Sequence, residues 1–562
     1  MSVQEKYLKW LNHPFMDEDL KQELENMNET QKKDAFYKDA EFGTAGMRNV
    51  LGAGTNRLNV YTVRKATVGF GNYLNRKDGE VSVAIAYDNR YKSTEFAMES
   101  ARIFASLGIK SYVYKTLRTT PQLSFTVRHL KCDGGIMITA SHNPKEYNGY
   151  KVYDKNGCQL IPELIEGVIE EIGKLGPDFI EAPKLTPEQE KLINYVGKEI
   201  DEIYINEVLK IQLNPDLPKD NFKVVYTPQH GTSLMPVKAL FETVGYDTVY
   251  VEEQCTFDPA FSNTLVPNPE DPEAYILALE YARRVDADIV LATDPDGDRL
   301  GVAVKDGKDY TLMTGNQTGS VLIEYIFSQR REKGLMPENP VMFNTVVTSD
   351  LGEIIAKEYG VETEKTLTGF KYIGDKIEGY KISKEKNFVF GYEESYGYLV
   401  KEIVRDKDAN QSCLMLAECA NYYKKKGLTL LDVLKQLYEK YGTYLETIQS
   451  ITLTGADGAA KLQQLLANLR ANVPTELGGY KVVKYQDFRT AKCIENGVET
   501  NIVGFDRSDV LKYFMEDGSW IAIRPSGTEP KCKYYYCIKG ENQEDVENKK
   551  EKYFKSIEEI TK

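Results

Sequence analysis

Short apolar runs that end abruptly in polar loops recur through the first 440 residues, and this rhythm limits the folds open to the chain. The runs 82–88, 111–115, 135–138, 222–226, 248–252, 287–293, 341–346 and 388–390 read as buried strands with helical segments between them. Strands that alternate with helices predict parallel sheets covered by helices. Near residue 443 the pattern changes to a helix at 456–471 and hairpin-connected strands, with Asp517-Gly518 as one turn.

The expected fold class is therefore α/β, with three tandem doubly wound α/β domains and a C-terminal α+β domain. We set the domain bounds at 1–207, 208–308, 309–443 and 444–562. Each domain carries one polar loop at the end of a buried strand. Two local predictions accompany this division: Ser93 caps the helix that runs to Gly108, and the segment 162–213 holds helices and connections.

Composition excludes several classes of protein. The net charge of −14 lacks the basic excess of a nucleic-acid binder, and no apolar run approaches a membrane span. The N-terminal segment lacks the apolar core of a signal peptide. Eight scattered cysteines without a CxxC pair are typical of reduced thiols, and four histidines make a zinc site improbable. We expect a cytoplasmic protein with neither nucleic-acid nor membrane partners.

The loop after strand 135–138 places Ser141 and His142 before an Asn-Pro turn. A serine at the mouth of a parallel strand is where an α/β enzyme would hold a reactive hydroxyl. A hydrolase is disfavoured, because the G-x-S-x-G elbow is absent and proton-relaying pairs usually come from distant parts of a chain. A catalytic serine and an ordinary polar turn both remain open at this point.

Asp294, Asp296 and Asp298 alternate in a tight loop after strand 287–293. Three carboxylates so close repel one another unless a cation lies between them, and oxygen ligands favour Mg²⁺. The spacing does not match an EF-hand, because Gly297 is fourth in the loop and Lys305 is twelfth. A metal site is the favoured interpretation, and a solvated acidic turn is the alternative.

The segment 524–531 has the opposite charge: it gathers a guanidinium, hydroxyls and an ammonium group, which suits a phosphate dianion. Glu393 and Ser395 could hold sugar hydroxyls. A surface turn is the alternative for both segments. Taken together, the four loops indicate phosphoryl transfer to or from a sugar phosphate through a covalent phosphoserine.

The chain resembles the α-D-phosphohexomutase family over essentially its whole length. TASHNP, DPDGDR, GYEES and RPSGTEPK match that family's motifs in identity and order. Smaller details, FGTAGMR, YDNRYKS, TPQHGT and LTGFKYI, are similar to the branch that contains bacterial phosphoglucomutases and phosphopentomutase-type enzymes. The resemblance implies four domains around a central cleft and a Mg²⁺-dependent mutase.

The same resemblance assigns roles to individual residues. Ser141 is implied to carry the phosphoryl group, and Asp294, Asp296 and Asp298 to bind Mg²⁺ together with a phosphoserine oxygen. Arg48 and Lys151 match cationic positions that assist proton transfer or stabilise charge, and His142 shapes the loop or contacts phosphate. The implied substrate-binding residues are Arg299 beside the transferring phosphate, Thr368, Gly369 and Lys371, Glu393 and Ser395 on the sugar, and Arg524, Ser526, Gly527, Thr528 and Lys531 on the non-transferring phosphate.

One departure from the family leaves the general acid or base open. Some members carry a histidine just after the sugar-loop serine, whereas this chain continues Tyr396-Gly397-Tyr398. Lys151, Arg48 or another group would then move the proton.

The favoured expectation is an enzyme that interconverts α-D-glucose 1-phosphate and glucose 6-phosphate. Glucose 1,6-bisphosphate would be its intermediate and activator. The alternatives are a mutase for pentose or mannose phosphates, a sugar-bisphosphate synthase, and an inactive sugar-phosphate sensor. The expected partners are small sugar phosphates, and the expected state is a monomer or weak homodimer.

Overall fold

The computed structural model describes residues 1–43, 46–177, 179–452, 458–525 and 531–561. The chain forms two compact units, each built from two segments. Met1–Gly315 and Phe370–Lys426 make the first unit, and Asn316–Gly369 and Gly427–Lys562 make the second.

Three short helices open the first unit: α1 (Val3–Leu11), α2 (Glu18–Asn26) and α3 (Glu29–Phe36). Ser2 and Glu5 form a capping box at the start of α1, which satisfies backbone amides that the first turn leaves free. The buried side of this helix is made by Tyr7 and Trp10, whereas Leu8 is exposed.

The first sheet has six strands in the order β1-β5-β4-β2-β3-β6. Strands β2, β3, β4 and β6 run parallel, and β1 and β5 are antiparallel additions at one side. The strands are β1 (Met47–Val50), β2 (Ser82–Tyr87), β3 (Lys110–Tyr114), β4 (Gly134–Ile138), β5 (Tyr147–Asp154) and β6 (Ile193–Val196). The helices are α4 (Val60–Leu74), α5 (Ser93–Ser106), α6 (Thr120–His129), α7 (Pro162–Lys174), α8 (Pro187–Glu190) and α9 (Lys198–Leu209).

The second sheet has the order β11-β10-β9-β7-β8, with β7, β8 and β9 parallel. Its strands are β7 (Lys223–Thr227), β8 (Asp247–Tyr250), β9 (Ile289–Thr293), β10 (Leu300–Asp306) and β11 (Asp309–Met313). Helices α10 (Leu234–Val244) and α11 (Ile276–Val285) accompany it. All five residues of β9, like all five of β4, are buried, which explains their continuous apolar sequences.

The third α/β region contributes to both units. Helix α12 (Gly315–Glu332), the parallel strands β12 (Pro340–Thr345) and β13 (Glu362–Thr366), and the helix α13 (Asp350–Glu358) precede residue 370. They are followed by α14 (Phe370–Ser383), the antiparallel pair β14 (Asn387–Glu393) and β15 (Gly397–Leu399), α15 (Ala409–Lys425) and α16 (Leu430–Tyr441).

The C-terminal part of the second unit is an antiparallel sheet with helices. Along β16-β23-β22-β21-β18-β19-β20 every neighbouring pair of strands is antiparallel, and β17 adds to β18. The elements are β16 (Thr443–Thr452), α17 (Gly458–Ala471), β17 (Glu476–Leu477), β18 (Tyr480–Asp487), β19 (Lys492–Glu495), β20 (Val498–Asn501), β21 (Leu511–Met515), β22 (Trp520–Pro525), β23 (Lys531–Gly540) and α18 (Gln543–Thr561).

The predicted fold class, three α/β domains and one α+β domain, is confirmed. Two local predictions are wrong. Ser93 is the first residue of α5 instead of its cap, because Lys92 takes the left-handed conformation before it and the Ser93 hydroxyl donates to Asp88. The segment 162–213 contains the strand β6, which pairs with β3. Within the described ranges no helix combines the length and apolar character that crossing a bilayer requires.

Candidate active site

The loop that contains Ser141 (the serine loop) and the loop that contains Asp294, Asp296 and Asp298 (the aspartate loop) both begin where a buried parallel strand ends. Ser141 follows β4 after two residues, and Asp294 follows β9 directly. Strand β2, the parallel neighbour of β4, ends at Tyr87 and is followed by Asp88, Asn89 and Arg90. The carboxyl ends of parallel strands share one edge of a sheet, which is where α/β enzymes bind ligands.

Ser141 is held in an unusual conformation with its hydroxyl directed at a carboxylate. Its φ is +51°, a left-handed value that non-glycine residues adopt only when their surroundings enforce it. Oγ of Ser141 donates to Oδ2 of Asp294 at 2.7 Å, and Nδ1 of His142 lies 3.2 Å from the same hydroxyl. The residue is 3% exposed. The structure thus brings the serine and the aspartate loop, 153 residues apart, into direct contact.

The aspartate loop is fully buried and shaped by hydrogen bonds to its own backbone. Oδ1 of Asp294 accepts from the amides of Asp298 at 3.0 Å and Arg299 at 2.9 Å. Oδ2 of Asp296 accepts from Lys151 Nζ and from Thr120 Oγ1, both at 2.8 Å. The loop is therefore fixed against the first sheet as well as within itself.

The pKa values of two buried carboxyls of the triad, Asp294 and Asp296, are shifted in opposite directions. Burial, with the carboxylates of Asp296 and Asp298, raises the pKa of Asp294 well above its ordinary value. Burial acts in the same direction on Asp296, but the Lys151 ammonium and the surrounding hydrogen bonds outweigh it and hold the pKa of Asp296 below its ordinary value. Without a cation, Asp294 is therefore the carboxyl of this pair that takes up a proton more readily.

The donor set fits a divalent cation. One carboxylate oxygen from each of Asp294, Asp296 and Asp298 lies within 4.8 Å of the other two. Oδ1 of Asp296 and Oδ1 of Asp298 are buried and accept no hydrogen bond from any described residue. Buried oxygens without partners are costly unless a ligand satisfies them, and an all-oxygen set is the one that Mg²⁺ or Ca²⁺ prefers.

Two lysines flank the triad. Lys151, on β5, is 6% exposed and lies 3.7 Å from Oδ2 of Asp298 in addition to its bond with Asp296. Lys407 Nζ lies 3.0 Å from Oδ2 of Asp298 and 3.3 Å from Asp406. Burial disfavours the charged form of Lys407, but these carboxylates raise its pKa above the ordinary value. Both ammonium groups can offset negative charge here.

Three further predicted residues lie around this centre. Arg299 forms an ion pair with Glu270 and is largely buried. Arg48, on β1, is exposed, and its Nη1 donates to Oδ1 of Asn143 in the serine loop at 3.0 Å. Burial, together with the guanidinium groups of Arg299 and Arg48, lowers the pKa of His142 well below its ordinary value, so that its imidazole is neutral at pH 7.

The loop that carries Glu393 and Ser395, which is predicted to bind the sugar, meets the aspartate loop inside the first unit. Glu393 is 4% exposed at the end of β14, and Ser395 follows in the turn before β15. The carbonyl of Tyr396 accepts from the amide of Leu300 at 2.9 Å, one residue after Arg299. Lys371 lies on α14 of the same unit and is buried.

The other substrate-binding predictions fall in the second unit. Thr368 and Gly369 follow β13, and Arg524 and Lys531 lie on β22 and β23. Ser526, Gly527 and Thr528 lie outside the described residues. The binding roles of all these residues stay predictions.

Three residues that contact the site were missed from the sequence. Arg90 binds the backbone of the serine loop, Thr120 binds Asp296, and Lys407 pairs with Asp298. The position of Arg90, directly after the strand parallel to β4, was an available signal. Thr120 and Lys407 lie 176 and 109 positions from their aspartates, and only the folded chain reveals those contacts.

The fold and the site fit an enzyme that transfers phosphoryl groups. Family models described as phosphoglucomutase/phosphomannomutase match residues 39–177 with α/β/α domain I, 202–307 with domain II, 314–441 with domain III and 460–551 with the C-terminal domain. The chain belongs to the phosphoglucomutase/phosphomannomutase family.

Curated relatives agree with this membership. A phosphoglucomutase of Staphylococcus epidermidis is 39% identical over 534 residues, 94% of this chain and 96% of that protein. A phosphoglucomutase of Staphylococcus aureus is 37% identical over 531 residues, 93% and 94% of the two chains.

Solved structures share the fold at lower identity. Parafusin, a phosphoglucomutase from Paramecium in an open form, is 18% identical with a TM-score of 0.68, covering 93% of this chain and 95% of that one. A phosphoglucomutase/phosphomannomutase family protein from Burkholderia thailandensis is 19% identical with the same TM-score, covering 93% and 98%.

Proposed function

We propose that this enzyme interconverts α-D-glucose 1-phosphate and glucose 6-phosphate through phospho-Ser141 and a glucose 1,6-bisphosphate intermediate. The observation that carries the proposal is the buried Ser141 hydroxyl, 2.7 Å from a carboxylate of a triad suited to a divalent cation. The names of the relatives favour glucose over mannose or pentose.

The reaction consists of two phosphoryl transfers. In the first, the bond between phosphorus and Oγ of Ser141 breaks while the free hydroxyl of the sugar phosphate bonds to phosphorus. The sugar hydroxyl gives its proton to a basic group, and Oγ of Ser141 takes up a proton. The bisphosphate then turns round, and its other phosphoryl group returns to Ser141 by the reverse steps, releasing the isomeric monophosphate.

Asp294, Asp296 and Asp298 would hold Mg²⁺ together with an oxygen of phospho-Ser141. When bound, the cation offsets the negative charge of the phosphoryl oxygens and makes the phosphate ester susceptible to attack. The fixed loop geometry keeps the three carboxylates in place for either half of the reaction.

Lys151 is the better-placed candidate for donating the proton that Oγ of Ser141 takes up, because its ammonium group is buried beside Asp296 and Asp298. Arg48 is exposed and engaged with Asn143, which suits charge stabilisation at the rim of the site. His142, neutral at pH 7, shapes the serine loop through its contact with Oγ of Ser141.

The sugar would be held by Glu393 and Ser395, with Arg299 next to the transferring phosphate. Thr368, Gly369 and Lys371 would complete the substrate contacts. Arg524, Ser526, Gly527, Thr528 and Lys531 would bind the phosphate that is not transferred. A cytoplasmic enzyme that acts as a monomer or weak homodimer on small sugar phosphates is part of the same proposal.

A parallel assay of glucose, mannose and ribose 1-phosphates, each primed with the matching bisphosphate, tests the proposal. We expect the highest kcat/KM with glucose 1-phosphate. A preference for ribose or mannose would replace the substrate but keep the chemistry. Net formation of bisphosphate from a triose bisphosphate donor would instead identify a synthase.

A further inference from the structure

We propose that Arg90 is a positioning residue that clamps the serine loop and holds the Ser141 hydroxyl in its reactive direction. This inference rests on the proposed function of Ser141. Arg90 lies directly beyond β2, at the same sheet edge as Ser141, and its side chain is completely buried.

Four of the five N–H groups of the Arg90 guanidinium donate hydrogen bonds to the serine loop. Nη2 donates to the carbonyls of Ser141 and Asn143, both at 2.5 Å. Nη1 donates to the carbonyls of Pro144 at 2.8 Å and Tyr147 at 3.1 Å. Nε makes no hydrogen bond with any described residue, but it lies 3.3 Å from Oδ2 of Asp88 in an ion pair. One side chain therefore binds four carbonyls within seven residues of the serine loop.

The clamp itself is anchored from two sides. Asp88 has a fully buried side chain, and its Oδ1 accepts from the amide of Arg90 at 3.0 Å and from Ser93 Oγ at 2.8 Å. The guanidinium lies over the ring of Phe261, 5.1 Å from its centroid. These contacts fix both the position and the orientation of the guanidinium group.

The clamp bears on the reacting atom through the backbone of Ser141. The φ of +51° is unfavourable for serine, so the loop must be held from outside to keep it. The bond from Arg90 to the Ser141 carbonyl does this at the residue itself, while the hydroxyl of the same residue meets Asp294 at 2.7 Å. Loosening the loop would redirect Oγ without removing any group that contacts the substrate.

A lysine cannot replace this arrangement, because one ammonium group has three donors on a single nitrogen whereas the guanidinium spreads five over a rigid plane. Arg90→Lys keeps the positive charge opposite Asp88 but loses the paired hydrogen bonds from Nη1 and Nη2 to the loop carbonyls (the fork). We expect kcat to fall by at least about tenfold with KM within about threefold, since misplacing a reacting group by 1 Å can lower rates about a hundredfold.

The test pairs Arg90→Lys with Arg64→Lys, a matched control whose arginine is also largely buried and ion-paired, to Glu99 at 2.6 Å, away from the serine loop. Steady-state kinetics with glucose 1-phosphate give the split between kcat and KM. Hydrogen exchange follows the amides of Ser141, Asn143 and Tyr147, each hydrogen-bonded inside the loop. We expect these amides to exchange at least about tenfold faster in Arg90→Lys and at the wild-type rate in Arg64→Lys.

The outcomes separate a positioning role from a merely structural one. Unchanged kcat and unchanged exchange in a folded Arg90→Lys protein would overturn the inference, as would a loss of activity that only follows the fraction unfolded. If Arg90→Lys does not fold, Asp88→Asn, which removes the charge anchor but keeps the fork, replaces it with the same expected direction. A wild-type enzyme inactive on every sugar phosphate would refute the proposed function. The hydrogen-exchange rates of the serine-loop amides would still test whether Arg90 holds that loop.

Discussion

Ser141 is the residue on which the proposed chemistry depends, and its hydroxyl oxygen is the atom that would carry the phosphoryl group. Ser141→Ala removes Oγ and leaves the backbone, so we expect mutase activity to fall on the order of 1,000-fold or more, as for other covalent nucleophiles. Ser106→Ala is the matched control, because its hydroxyl bonds the carbonyl of Ile103 in its own helix. Near-normal turnover by Ser141→Ala would exclude the phosphoserine route, and mass spectrometry of the wild type should find phosphate on this serine.

The Asp296 carboxylate combines two tasks, since Oδ2 binds Lys151 and Thr120 while Oδ1 is left for a cation. Asp296→Asn should lower kcat by roughly 100–1,000-fold, the usual effect of losing one electrostatic contact in an active site. Chelation of metal should abolish activity in the wild type, and added Mg²⁺ should restore it. Calorimetric titration with Mg²⁺ checks binding directly, with the exposed Asp286 changed to Asn as the control.

At the scale of an element, the aspartate loop depends on a conformation that only glycine adopts easily. Gly297 has a φ of +70°, and a Cβ there would lie 2.7 Å from Cγ2 of Thr119 and still closer to Oγ of Ser233. Gly297→Ala should therefore destabilise the protein by more than the roughly 1–2 kcal/mol that a left-handed residue costs, and displace the triad. Gly307→Ala isolates the conformational part, because Gly307 has a φ of +64° and no neighbour within 4 Å. Equal losses of stability and activity in both variants would show that the contacts of Gly297 do not matter.

Strands were predictable from the sequence where all of their consecutive residues are buried. The apolar runs of β4 and β9 and the loops after them indicated the serine and the aspartates, because a strand covered on both sides must be apolar throughout. Strand β6 was missed because only one of its four residues is buried, so its sequence shows no such run. Arg90 was missed as a site residue because its role consists of contacts with carbonyls more than fifty positions away, which leave no local pattern.

At the scale of the whole molecule, the chain leaves each compact unit and returns to it. The serine loop, the aspartate loop, Glu393 and Lys407 all belong to the first unit, although they come from segments on both sides of residues 316–369. Arg524 and Lys531 belong to the second. The four domains in sequence order therefore correspond to the family models. Unfolding experiments, by contrast, must be analysed with two discontinuous units and not as one two-state transition.

The second unit contains a buried lysine that makes its stability depend on pH. Lys512, on β21, is 1% exposed, donates to the carbonyl of Val346 at 2.7 Å and lies 3.7 Å from the ring of Trp520. Burial, with the nearby Lys365 ammonium, lowers the pKa of Lys512 from 10.5 to about 7, and the carboxylates of Asp350 and Glu353 only partly oppose this. The folded unit thus holds a largely neutral amine at a pH where the unfolded chain holds an ammonium.

Between about pH 7 and pH 10.5 the unfolded state binds the additional proton, so this group makes stability rise with pH in that window. Below about pH 7 both states are protonated, and the full penalty of burying the charge remains. Lys512→Met should therefore stabilise the second unit most at pH 6, by roughly 2–4 kcal/mol, and progressively less towards pH 10. The exposed Lys333, changed to Met, is the control.

The chain has two tryptophans, one in each unit, which allows the second unit to be followed alone. With Trp10→Phe as the common background, the fluorescence of Trp520 reports unfolding of the second unit in denaturant at pH 6, 8 and 10. We expect the unfolding midpoint of the Lys512-containing protein to rise with pH relative to that of Lys512→Met, because only the former loses a proton on folding in this range. Parallel pH profiles for the two proteins would show that the Lys512 amine titrates alike in the folded and unfolded chains.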